Sequence, residues 1–132
     1  MSVPPDHFGF TKLLVADLDT SAAFYRSVFG LQETGRIESE IAGRAIEEIL
    51  FSPTGVGAAT FVLLRYLDAT RASDSEVILG FITSDIDALM QRALAAGGSI
   101  RRDAQDYSDL RVKVAFIADN EGHLLEVVQQ FA

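Results

Sequence analysis

The chain reads as an α+β protein built from two βαβββ modules, and three observations predict it. An internal echo relates the halves: Val15-Ala16-Asp17-Leu18-Asp19, ending at Gly30, returns as Thr83-Ser84-Asp85-Ile86-Asp87, ending at Gly98, with matched residues 68 positions apart. A helical pattern follows each echo, and three short strand candidates follow each helix. The length of 132 residues suits one domain, and 48% hydrophobic with 23% charged residues is ordinary globular composition.

Taken in order, a first strand is expected over residues 8–16. The helix after it, 20–29, has Phe24, Tyr25, Val28 and Phe29 to bury and Gly30 as its stop. Strands follow near 32–38, 45–51 and 59–66, with Ser52-Pro53-Thr54-Gly55 as the last turn. Residues 68–74 are polar and poor in strand formers, so they read as a linker between module 1 (1–67) and module 2 (75–132) of a single domain. In the second module a strand over 77–84 leads to a helix whose Ile86, Leu89, Met90, Ala93 and Leu94 share one face. Asp85 or Asp87 caps its start and Gly97-Gly98 ends it. Strands near 99–103, 111–118 and 123–129 complete the module, the last two joined by Asp119-Asn120-Glu121-Gly122.

Composition narrows the function. Eleven Lys and Arg against nineteen Asp and Glu give a net charge of −8, which argues against partners such as nucleic acid or an anionic membrane and leaves cationic small molecules open. With no cysteine there is no disulfide, thiolate metal site or Cys nucleophile. No apolar run approaches the ~18 residues that span a bilayer and no signal peptide is visible, so the cytoplasm is the expected compartment. Gly55-Val56-Gly57 does not lead into a helix and fails as a nucleotide loop. Neither His7 nor His123 lies by a nucleophile elbow.

The strand ending Val15-Ala16-Asp17-Leu18, the segment Ser21 to Tyr25, Phe29-Gly30-Leu31, and Asp119-Asn120-Glu121-Gly122-His123-Leu124-Leu125-Glu126 together resemble the vicinal oxygen chelate superfamily. Glyoxalase I, bleomycin-resistance proteins and extradiol dioxygenases belong to it. The resemblance covers nearly the whole chain. It implies that the strands curl into a half-open β-cup with helices outside, a ligand site on the concave face and a homodimer, which would also cover exposed edge strands. Metal-dependent members take one ligand from the first and last strand of each module, typically His, Glu, His and Glu. Matched to that pattern, the positions here are Phe10, Leu63, Ile78 and Glu126, and only Glu126 is a donor. Residues 8–16, 58–67 and 77–84 hold no His, Asp, Glu or Cys, so no cofactor is expected; a divalent metal is the alternative, with Glu76 as the spare ligand beside Glu126. His7 and His123 are expected in surface or capping roles.

If Glu126 faces the cup, alternation puts Leu124 and Val128 beside it, with Ile78, Gly80 and Ile82 on the same wall. Phe10, Lys12, Leu14 and Ala16 are expected there from the first strand, and Phe61, Leu63 and Arg65 from the fourth. A carboxylate in such an apolar wall gains a cation or becomes neutral. Glu126 is therefore expected to pair with Lys12 or Arg65 while the ligand lies on Phe10, Phe61 and Ile78. The competing reading leaves Glu126 in water, Lys12 snorkelling and Arg65 at a strand end. Arg101-Arg102 with Arg111 and Lys113, and Glu38-Ser39-Glu40 with Glu47-Glu48, read as solvated faces, and Tyr107 as a lid candidate.

Three functions remain. The first is metal-free binding of a small, partly apolar, cationic molecule, as in the antibiotic-sequestering relatives. The second is a divalent-metal-dependent lyase or isomerase of the lactoylglutathione-lyase kind, or a dioxygenase-like enzyme. The third is metal-free proton transfer with Glu126 as the catalytic base. Whether any reaction is catalysed stays open.

Overall fold

The computed structural model describes residues 10–41, 44–55, 59–68, 77–108 and 110–131. Its element order is β1 (Phe10–Leu14), α1 (Leu18–Phe29), β2 (Glu33–Ile41), β3 (Arg44–Phe51), β4 (Thr60–Tyr66), β5 (Leu79–Thr83), α2 (Ile86–Ala95), β6 (Ser99–Tyr107), β7 (Val112–Ala118) and β8 (Leu124–Gln130). These make two open four-stranded sheets, β1-β4-β3-β2 and β5-β8-β7-β6, each with one parallel pair and two antiparallel pairs. The expected βαβββ order is therefore seen twice. Of the expected linker only Asp68 is described, 2.7 Å from the Arg44 guanidinium.

Local chemistry sets the element ends. The Asp17 carboxylate accepts from the Thr20 amide and starts α1 at Leu18, two residues before the position expected from apolar spacing. Asp85 does the same for α2 through the Ala88 amide, which decides between the two candidate caps. Gly30 ends α1 at φ 69°, a left-handed geometry that costs glycine no Cβ clash. β6 runs on to Tyr107, with register shifts after Ile100 and Arg102. Tyr107 thus ends a strand and is not part of a lid loop.

One apolar core joins the two halves. Leu13, Val15, Phe24, Val28, Ile49 and Leu63 of the first half share it with Ile86, Leu89, Ile117, Leu125 and Val127 of the second. Fully buried side chains such as Phe24 and Val28 each contribute about 1.5–3 kcal/mol. Phe29 of α1 stacks on Phe81 of β5 with ring centroids 3.9 Å apart, so aromatic contact also crosses between the halves.

Candidate functional site: the helix-free sheet faces

The core claims one face of each sheet through alternate residues, and among the described residues no helix covers the other face. Register identifies what that other face carries. In the first sheet Lys12 is opposite Val62, Leu14 opposite Leu64, Glu48 opposite Leu64 and Ile46 opposite Tyr66. In the second, Gly80 is opposite Glu126, Ile82 opposite Val128, and Phe116 opposite Glu126 from the other side.

This corrects the expected wall at β4. Phe61, Leu63 and Arg65 lie on the helix side, because Leu63 is opposite Leu13 and Ile49, both buried in the core. Leu63 itself is fully buried there, and Phe61 packs 5.0 Å from Tyr25. A strand apolar on both faces gives no alternation to fix its orientation, and a slip of one residue exchanges the faces. Val62 and Leu64 are the residues that β4 gives to the helix-free face, and both are buried. Phe61 instead lines a cavity of about 480 Å³ with Phe29, Leu31, Leu79 and Phe81. Thr11 of β1 and Gly80 of β5 border the same cavity, so those two edge strands face each other.

The expected partners of Glu126 are engaged elsewhere. Lys12 Nζ is 2.9 Å from Glu48 Oε2, an ion pair that reaches across β4 from β1 to β3. Glu48 is buried, not part of a solvent face, and its surroundings include Ile37 and Leu64. Two runs in β3, Ile46 with Leu50 and Ile49 with Phe51, make both faces of that strand apolar. That pattern is the sequence signal that Glu48 stands in a wall. Arg65 is 3.6 Å from Glu47, its register partner on the helix side. Phe10 and Ile78 are both more than half exposed.

Glu126 stands between Gly80 and Phe116 across the strands and between Leu124 and Val128 along its own. Among the described residues no hydrogen bond or ion pair reaches its carboxylate. The nearest cation by register is Arg102, beyond Phe116 on β6, and its guanidinium bonds the Gln105 side chain instead. Sequence reasoning missed both Phe116 and the significance of Gly80.

Register also relocates the second position of the metal pattern. Gly80, the partner of Glu126, stands 68 residues after Lys12, and Lys12 is opposite Val62. Val62, not Leu63, is thus the first-half counterpart of Glu126. The four positions are then Phe10, Val62, Ile78 and Glu126, which offer one carboxylate and three hydrocarbon side chains. This set does not fit a divalent ion, whose catalytic sites usually draw on three protein ligands. Among the described residues there is no group of three His, Cys, Asp or Glu side chains placed to hold one. Glu76 and His7 lie outside the described residues.

A second polar cluster sits where the halves meet. The Tyr25 hydroxyl donates to Asp119 Oδ2 at 2.8 Å, and His123 Nδ1 is 2.8 Å from the same oxygen. His123 is buried, so of the expected surface or capping roles the surface one is not observed. The hydrogen bond to Asp119 raises the His123 pKa above its ordinary value, with burial opposing. Burial would raise Asp119, yet its bonds with His123 hold it below the usual carboxylate value. Burial, then the Asp119 charge, pushes the Tyr25 hydroxyl up, so it stays neutral and donates. Glu121 accepts from the Ala16 and Asp17 amides at 2.8 and 2.9 Å and from the Ser21 hydroxyl at 3.1 Å. The Asp119–His123 turn is therefore a brace between the halves.

Comparison with known proteins gives a consistent likeness. The family model described as Glyoxalase/Bleomycin resistance protein/Dioxygenase superfamily matches residues 5–127. The chain is 29% identical over 122 residues to a probable lactoylglutathione lyase of Vibrio parahaemolyticus, covering 90% of this chain and 87% of that one. A glyoxalase family protein from Bacillus cereus superposes with a TM-score of 0.82 at 18% identity, covering 98% of this chain and 97% of the other. A glyoxalase I variant from Zea mays superposes with a TM-score of 0.73 at 17% identity over 93% of this chain and 45% of its own. At these identities the two structures speak for the fold.

Proposed function

Because the chain belongs to the Glyoxalase/Bleomycin resistance protein/Dioxygenase superfamily, we propose that it uses that scaffold to bind a small, partly apolar, cationic molecule, without a catalytic metal. The observation that carries this reading is Glu126: a carboxylate set among Gly80, Phe116, Leu124 and Val128, with no cation of its own sheet on it among the described residues. A charge against an apolar wall is costly unless paired, and a bound cation supplies the pair. Phe10, Ile78 and Ile82, all largely exposed, offer the apolar surface for the rest of the ligand. The Lys12–Glu48 pair, already neutralised, adds a polar point without competing for that cation.

The binding form in this reading is a cytoplasmic homodimer. The outer edges β2 and β6 carry charges at Glu33, Arg36, Glu38, Glu40, Arg101, Arg102, Asp103 and Asp106, which discourage further pairing. β5 carries no charge and β1 carries only Lys12, so the edges that need covering are those beside the ligand surface.

The relative named as a probable lactoylglutathione lyase favours a second reading, a metal-dependent lyase. It would need donors from Glu76, His7 or another subunit to join Glu126. Elemental analysis of protein purified without chelator separates the two, and stoichiometric Zn, Ni, Mn or Fe would overturn the first. The binding reading itself is tested by thermal shift with benzyltrimethylammonium and with its neutral isostere neopentylbenzene. A ligand that binds only the folded state raises Tm. The cation should raise it in the parent and not in Glu126→Gln, and equal shifts from cation and isostere would refute the role given to charge.

A further inference from the structure

Gly80 has no evident structural reason to be glycine. It lies inside β5, outside the positive-φ region that favours glycine, and a Cβ built on it would meet nothing within 4 Å. A glycine within a strand costs backbone entropy and packs nothing, so a β-branched residue would stabilise this position. Its neighbours along the helix-free face, Ile78 and Ile82, are such residues. The missing side chain leaves a vacancy beside Glu126, its register partner on the adjacent strand. Adjacent strands lie about 4.8 Å apart, so a side chain at Gly80 would stand against the carboxylate.

Resting on the reading of Glu126 as a cation acceptor, we propose that Gly80 determines specificity: the vacancy over Gly80 admits an ammonium head group against the Glu126 carboxylate, on the side away from Phe116. The three positions lie in one row across β5, β8 and β7. The row supplies an open slot, a negative charge and an aromatic face in that order. Phe116, half-buried, flanks the carboxylate on its other side and closes the row with apolar surface. The ligand class is therefore an alkyl- or arylammonium whose charged end enters first and whose apolar body extends over Ile78 and Ile82. An anion or a divalent ion has no comparable place in this row.

The test uses the full chain, with benzylammonium as the small head group and benzyltrimethylammonium as the large one. Affinity is measured by calorimetry, and Tm without ligand is measured in parallel. Gly80→Ala should weaken the large head group more than the small one. Gly80→Val should weaken both at least tenfold while Tm is unchanged or raised. Loss of binding with intact stability separates a recognition role from a folding role. Gly80→Val binding both cations as the parent does would overturn the inference, as would a Tm fall of several degrees in both variants. Failure here leaves the reading of Glu126 standing if the parent binds cations and Glu126→Gln does not. If the parent binds neither cation, both fall together.

Discussion

Glu48 shows how far a single side chain depends on one partner. Its carboxylate is buried on the helix-free face, and Lys12 reaches it from two strands away. Removing one member of a buried pair strands the other charge, whereas removing both can be nearly neutral. Lys12→Met is expected to cost about 1–3 kcal/mol, less than breaking a fully buried pair because the lysine side chain keeps about a third of its exposure. Lys12→Met with Glu48→Gln should recover much of that loss. Urea denaturation of the two single variants and the double variant forms the cycle, and strict additivity would mean the pair contributes no coupling.

Between elements, packing is tight at the α2–β6 corner. A Cβ on Gly98 would lie 2.6 Å from the Ala118 carbonyl oxygen, 2.8 Å from Phe24 Cε2 and 3.0 Å from the Ala93 carbonyl oxygen. Two of these neighbours are backbone atoms and cannot step aside cheaply. Gly98→Ala is expected to destabilise by about 1–3 kcal/mol or more, read as a lowered urea midpoint, and an unchanged midpoint would show that the corner yields freely. The echo that marked Gly30 and Gly98 as equivalent helix stops was legible in sequence, yet the two serve different needs. Gly30 takes a left-handed φ, while Gly98 makes room for Phe24. Element order was legible for the same reason as the echo: caps, stops and helical periodicity are local. The facing of β4 was not, because Phe61 to Leu64 is apolar on both sides and only pairing with β1 and β3 decides which side meets the helices. Glu126 alternates with Leu125 and Val127, which the core claims, but its expected pairing with Lys12 or Arg65 was not local information. Both cations find glutamates on β3 that a reading along the chain had assigned to solvent.

Across the whole molecule, the Asp119–His123 turn ties the second half to the first. Tyr25 of α1 meets Asp119, Glu121 holds the amides that lead into α1, and the Leu14 carbonyl contributes to raising His123. The groups in this junction act in different directions on titration. His123 is raised above 6.5 by Asp119 foremost, so its charged contribution is complete below its unfolded pKa and fades as pH climbs through the higher folded value. Asp119 is lowered below 3.8, so its contribution is present above that value and is lost only as pH falls through the folded one. The ionised pair therefore stabilises the junction between those limits, while neutral Tyr25 donates throughout the range. His123→Gln should accordingly cost most in mildly acidic solution, and the gap between parent and variant should narrow as pH rises from 6 to 9. It should not close, since a neutral imidazole can still donate to Asp119. Urea denaturation of both proteins across that range reads the gap directly. A gap that is flat or widens towards pH 9 would mean that His123 carries no proton-dependent share of the union between the halves.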